Sequence, residues 1–123
     1  MRIDIKLPTT SNSKVIQLER IVDGETVLVM RFGDLNGKHS EILRQTLEEL
    51  GITPTEESSR SRLITSRKQE GTYQLVGAGI CMTYNKGYIF GSKSGAYGLG
   101  INKAHLEQCK PAFPQDATIR IDT

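Results

Sequence analysis

The sequence predicts an α+β fold, a mixed or antiparallel sheet sandwiched by two helices. Three observations predict it. Apolar and polar residues alternate with period 2 through much of the chain. The period becomes helical over residues 38–50. A second, short helical segment opens at Asn102 and is followed by a closing alternating stretch, so the order is strands, helix, strands, helix, strand.

Each element has its own signal. Residues 2–7 alternate charge with Ile and Leu and stop at Pro8, and residues 9–13 are a polar loop. Residues 15–19 read as a second strand, Asp23-Gly24 as a tight turn, and the almost wholly apolar residues 26–31 as a strand central in its sheet. Over residues 38–50, Ile42, Leu43, Leu47 and Leu50 make one helical face. Glu41 lies in the first turn, favourable to the macrodipole, and Gly51 stands where a left-handed C′ residue belongs. Residues 54–59 read as a surface loop, and residues 62–65 and 72–76 as two strands around a turn at 68–71. Residues 80–84 and 88–90 form a hairpin turned at Asn85-Lys86-Gly87, followed by a glycine-rich loop from Gly91 to Gly100. Asn102 caps a helix that ends near Pro111, and residues 117–121 close the chain as a strand.

The chain has 123 residues, one domain's worth, with no repeat and no linker. With 16 Lys and Arg against 14 Asp and Glu, the net charge is +2, which argues against a dedicated duplex-DNA binder. No apolar run approaches the ~18 residues of a membrane helix, and the first residues have no signal-peptide core. Cys81 and Cys109 show neither C-x-x-C spacing nor a neighbouring histidine pair, which disfavours a disulfide scaffold and a zinc ribbon. The expectation is a cytoplasmic, monomeric protein without metal or cofactor, binding neither membrane nor nucleic acid.

Chemistry has few places to live. His39 opens the first helix and shares the inward face of Ile42, Leu43 and Leu47. It reads either as a histidine filling the gap between helix and sheet, or as a functional imidazole kept neutral by the positive end of the helix. His105, in a polar stretch, is expected in solvent. The loop Gly91-Ser92-Lys93-Ser94-Gly95-Ala96-Tyr97-Gly98 can converge backbone N–H groups on a phosphate, with hydroxyls and a lysine to help, or serve only as a hairpin connection. It lacks the P-loop order. Gly77-Ala78-Gly79 marks a bulge or a close backbone approach. Arg60, Arg62, Arg67 and Lys68, flanked by glutamates and without interleaved aromatics, read as a solvated hairpin face.

Taken together, Gly77-Ala78-Gly79, Ser94-Gly95-Ala96-Tyr97-Gly98, Phe113-Pro114 and His39-Ser40-Glu41-Ile42 resemble the protein phosphohistidine phosphatase / Janus–Ocnus family in order and spacing, over roughly residues 13–122. The family's loop reads S-M-A-Y-G and its histidine motif H-A-D-I. The resemblance implies a metal-independent hydrolase that cleaves the P–N bond of phosphohistidine in a protein or a small phosphoramidate. It implies His39 as catalytic residue, Lys14 as a phosphate contact, Arg31 at the position of the family's arginine, and Ser94, Gly95 and Ala96 as the phosphate cradle. Arg31 then either orients the substrate or closes the pocket by pairing with an acidic residue of the chain. Two departures stand out: Ile80 occupies the place of a family arginine, and the serine loop is one residue longer, bringing in Lys93, which is expected to restore the lost charge. Residues 1–12 and 60–71 are additions to the pattern. The rival function is a Janus-type binding module that holds a phosphorylated or acidic partner without hydrolysing it.

Overall fold

A computed structural model describes residues 1–52, 56–57, 62–63, 73–95 and 97–122. It is an α+β structure built on one six-stranded mixed sheet with the strand order β1-β3-β2-β6-β7-β10. The strands are β1 (Arg2–Ile5), β2 (Asn12–Val22), β3 (Glu25–Asp34), β6 (Tyr73–Tyr84), β7 (Gly87–Gly91) and β10 (Thr118–Asp122). Two short pairs, β4 (Glu56–Glu57) with β5 (Arg62–Leu63) and β8 (Lys93–Ser94) with β9 (Leu99–Gly100), stand apart from it. The centre is antiparallel and both edges are parallel, β1 to β3 and β10 to β7.

The two central hairpins follow from local chemistry. At the β2–β3 turn, Asp23 and Gly24 take φ of 52° and 76°, and at the β6–β7 turn Asn85 and Lys86 take 47° and 63°. Positive φ at both central positions matches the right-handed twist of the arms. Asp and Asn tolerate it because their short side chains can bond locally.

Adjacent strand residues point to opposite faces, and this splits the core in two. Ile16, Leu18, Val27 and Val29 meet Ile42, Leu43 and Leu47 of α1 (His39–Leu50) on one face. Val15, Leu28, Met30, Cys81 and Phe90 meet Leu106 and Cys109 of α2 (Lys103–Cys109) and Phe113 on the other. The helices thus cover opposite faces of the sheet. α1 ends as its sequence predicts: Gly51 is left-handed, and the N–H groups of Gly51 and Ile52 reach the carbonyls of Glu48 and Leu47.

Two expectations change, and a third falls largely outside the described residues. The expected strands 72–76 and 80–84 are not separate where described: Gly77-Ala78-Gly79 lies within the one strand β6, Tyr73–Tyr84. A bulge in β6, with Val76 as the extra residue opposite the Gln17–Leu18 step, shifts its register against β2. Arg62–Leu63 pairs with Glu56–Glu57, inside the stretch expected as loop, rather than with residues 72–76. Most of the basic stretch, including Arg60, Arg67 and Lys68, lies outside the described residues.

Candidate functional site

His39 is positioned by three neighbours in the sheet. Gly33 on β3 has no side chain where α1 arrives; a Cβ there would stand 2.5 Å from Ile42 Cγ1. The first turns of α1 therefore seat directly on the sheet. The connection before the helix is folded on Asp34, whose carbonyl accepts from Gly37 N at 3.0 Å and whose carboxylate accepts from Asn36 N at 2.9 Å. Lys14, opposite Gly33 on one side and Ile80 on the other, donates its ammonium to the Gly37 carbonyl and ties this connection to β2.

The imidazole of His39 is then fixed by its far nitrogen. Nε2 lies 2.9 Å from the Gly79 carbonyl oxygen on β6. A carbonyl only accepts, so Nε2 carries the proton, and the lone pair of the neutral ring sits on Nδ1. Nδ1 has no hydrogen-bond partner among the described residues. Burial lowers the pKa of His39, the Gly79 carbonyl works against that, and the nearby Lys14 ammonium lowers it further. The residue is 8% exposed, and its burial favours the neutral ring. Lys38, at the N-cap, makes no side-chain cap bond, so no side chain at that position competes for the first N–H groups of α1.

The serine loop arrives over the same strand and the same face. β8 and β9 pack against β6, and Tyr97 and Leu99 lean on the core cluster of α1. Ser94 pairs with Leu99, so it points inward with it and is buried. Its hydroxyl accepts weakly from Tyr97 N at 3.4 Å, and its carbonyl accepts from Gly98 N at 2.8 Å. Gly95 is exposed, with open space where a Cβ would stand. Ala96 lies outside the described residues.

Two expected residues fall elsewhere. Lys93 is exposed and, as the strand neighbour of Ser94, leaves β8 on the opposite side. The cation that acts on His39 is Lys14. Arg31 is buried, and all five of its N–H groups are taken within the chain. Nε donates to Glu49 Oε1 at 3.2 Å, Nη1 to the carbonyls of Asp4 at 2.8 Å and Met30 at 3.0 Å, and Nη2 to Asp4 Oδ1 at 2.9 Å and Glu49 Oε2 at 2.7 Å. Of the two readings of this arginine, pairing within the chain is the one found. Its grip on Glu49 sets it at the far end of α1, ten residues or about 15 Å along the axis from His39.

His105 corrects the expectation of a solvated side chain: it is 1% exposed. Its Nε2 donates to the Leu18 carbonyl of β2 at 3.0 Å. Nδ1 then accepts from Gln17 Nε2 at 3.3 Å. Gln17 also bonds both the N–H and the carbonyl of Asn102, at 2.8 and 3.1 Å. The Asn102 side chain caps α2 through His105 N at 2.9 Å and reaches the Val76 carbonyl at 3.2 Å. Gly77 is the enabling residue, since a Cβ would fall 2.1 Å from Gln17 Oε1. Only the cap of this network was visible in the sequence. Its remaining bonds join residues 26 to 88 positions apart.

Both cysteines are free and buried, and burial pushes their thiols up to about 12 at Cys81 and about 11 at Cys109. No group of three or more His, Cys, Asp and Glu placed to hold a metal ion occurs among the described residues. Among the same residues no helix is long and apolar enough to cross a membrane. No family model and no curated protein matches the chain.

Proposed function

We propose that this protein is a metal-independent phosphohistidine phosphatase with a Janus-type fold, working in the cytoplasm on a phosphorylated protein or a small phosphoramidate. The observation that carries the proposal is the state of His39: Nε2–H held on the Gly79 carbonyl, the lone pair left on Nδ1, and an ammonium close by. A P–N bond is already labile, so the protein needs to hold the phosphoryl oxygens, offset charge and deliver a nucleophile in line. Lys14 neutralises one oxygen, and the N–H groups of His39 and Ser40 at the start of α1, together with the N–H groups around Gly95, meet the others. His39 Nδ1 then attacks phosphorus or takes the proton of an attacking water. In either case the P–N bond breaks, the departing imidazole takes up a proton, and water supplies the fourth oxygen of inorganic phosphate.

The test is turnover of chemically phosphorylated polyhistidine. His39→Ala is expected to abolish phosphate release while the protein stays folded and still binds phosphate. Ser94→Ala is expected to lower kcat by on the order of 2–3 kcal/mol in barrier, as for one lost transition-state donor among several. Undiminished turnover by His39→Ala refutes the proposal.

A second reading has its own support. Ile80, the neighbour of Lys14 across β2 and β6, brings no charge, and the Ser94 hydroxyl is turned into its own loop. Both features suit a module that binds a phosphorylated partner without consuming it. Such a module protects phosphohistidine from spontaneous loss, and the same assay then reads a slower decay instead of a faster one.

A further inference from the structure

Arg20 holds a buried side-chain nitrogen, Nε, without a hydrogen-bond partner among the described residues, and no other buried side-chain N or O atom among them lacks one. An unmet buried donor is costly, so its surroundings bear on what could meet it. Arg20 on β2 and Arg2 on β1 are both in register with Val27 of the intervening strand β3. Residues in register share a face, and Val27 belongs to the cluster under α1. The two arginines therefore rise from the same face, their backbones about 10 Å apart at two strand spacings, on either side of a small side chain. Between them is a cavity of about 400 Å³, floored by Val22, Val27 and Leu50 and edged by Asp4.

The charges around this cavity do not cancel. Asp4 Oδ1 is committed to Arg31 at 2.9 Å. Arg2 has only Glu25, at 3.9 Å, and Glu25 holds the N-terminal ammonium at 3.2 Å with its other oxygen. The carbonyls of Leu47 and Glu48 at the end of α1 accept from Ile52 and Gly51. They are not what Arg20 bonds. Among the described residues, the carboxylates nearest the two guanidinium groups, Asp4 and Glu25, are thus each shared with another cation.

We propose that this cavity is an oxyanion site, in which Arg20 and Arg2 clamp a phosphate or carboxylate group borne by a small organic molecule whose apolar part rests on Val27 and Leu50. Planar guanidinium forks hold either kind of oxyanion through paired hydrogen bonds. The site is separate from that of His39: Leu50 is eleven residues along α1 from His39, about 16 Å.

The full chain, labelled with ¹⁵N, is titrated at constant ionic strength with inorganic phosphate, with succinate and with chloride, following the Arg20 Nε–Hε resonance. The expected result is a saturable shift with phosphate or succinate and none with chloride. The probe that saturates identifies the anion. The backbone amide of Val27, at the floor of the cavity, is expected to shift in parallel; that shift disappears in Arg20→Gln, and the dissociation constant read from it rises several-fold in Arg2→Gln. The His39 ring resonances, read in the same spectra, report phosphate at the other site, so failure of one assignment is visible apart from the other. If in the wild type neither probe gives saturation, or chloride does as well as both, the site does not exist. Saturation that persists in Arg20→Gln places the anion elsewhere and equally overturns the proposal.

Discussion

Replacing Arg31 by Met separates a structural arginine from a substrate-binding one. The substitution keeps most of the side-chain length but removes all five N–H donors, stranding the carbonyls of Asp4 and Met30 and the carboxylates of Asp4 and Glu49. Breaking a buried ion pair from one side removes about 3–5 kcal/mol. The carboxylates here are 41% and 35% exposed and regain water, so the lower end, about 3 kcal/mol, applies. A domain of this size has about 5–15 kcal/mol in hand, so the variant still folds. In urea, with a slope of roughly 1–3 kcal/mol per molar, the midpoint is expected to fall by about 1–3 M. Turnover of phosphorylated polyhistidine at 25 °C is expected to stay within about twofold of wild type, since every donor of Arg31 is spent about 15 Å from His39. A tenfold loss of turnover with an unchanged urea midpoint refutes the reasoning and returns Arg31 to the substrate.

Three further predictions follow from the same geometry. The hydrogen bond from Arg31, with help from Lys6 and against a smaller effect of burial, lowers the Glu49 carboxyl from 4.5 to about 2. Its contribution to stability is full above the unfolded pKa and is lost as pH falls through the folded one. Urea midpoints should therefore decline between about pH 4.5 and 2, and less steeply in Glu49→Gln; with a third of the side chain in solvent the effect is on the order of 1 kcal/mol. Both histidines have lowered pKa values, burial being the main cause, so each favours folding most when neutral. Thermal melts should show stability falling as pH drops below about 6.5, where the unfolded chain takes up protons first, and the acid limb of kcat/KM should lie below the ordinary histidine range. Gly79→Ala places a methyl 2.5 Å from the Gly91 carbonyl and 2.7 Å from Ile101 Cδ1. Since the backbone oxygen cannot turn aside, a loss of about 1–3 kcal/mol is expected in urea, with a changed His39 Nε2 shift in the ¹⁵N spectrum.

The sequence by itself determined what local physics determines. Asp23-Gly24 and Asn85-Lys86 specify tight turns because their central positions must tolerate positive φ, and Gly51 ends α1 for the same reason. Ile42, Leu43 and Leu47 mark the buried stripe of α1 because their spacing matches the helical period. His39 could be singled out from its place at the head of that stripe. What bonds its ring could not, since Gly79 is forty residues away and its carbonyl is like any other until the sheet is assembled. The union of residues 73–84 into one strand, the burial of His105 and the closure of Arg31 on Asp4 and Glu49 were likewise decided only by tertiary structure. A polar side chain has the same composition and spacing whether water or a buried acceptor satisfies it. The packing of the helices on the sheet and the order of its strands decide which, by bringing Leu18, Asp4 and Glu49 within hydrogen-bond reach of donors far along the chain.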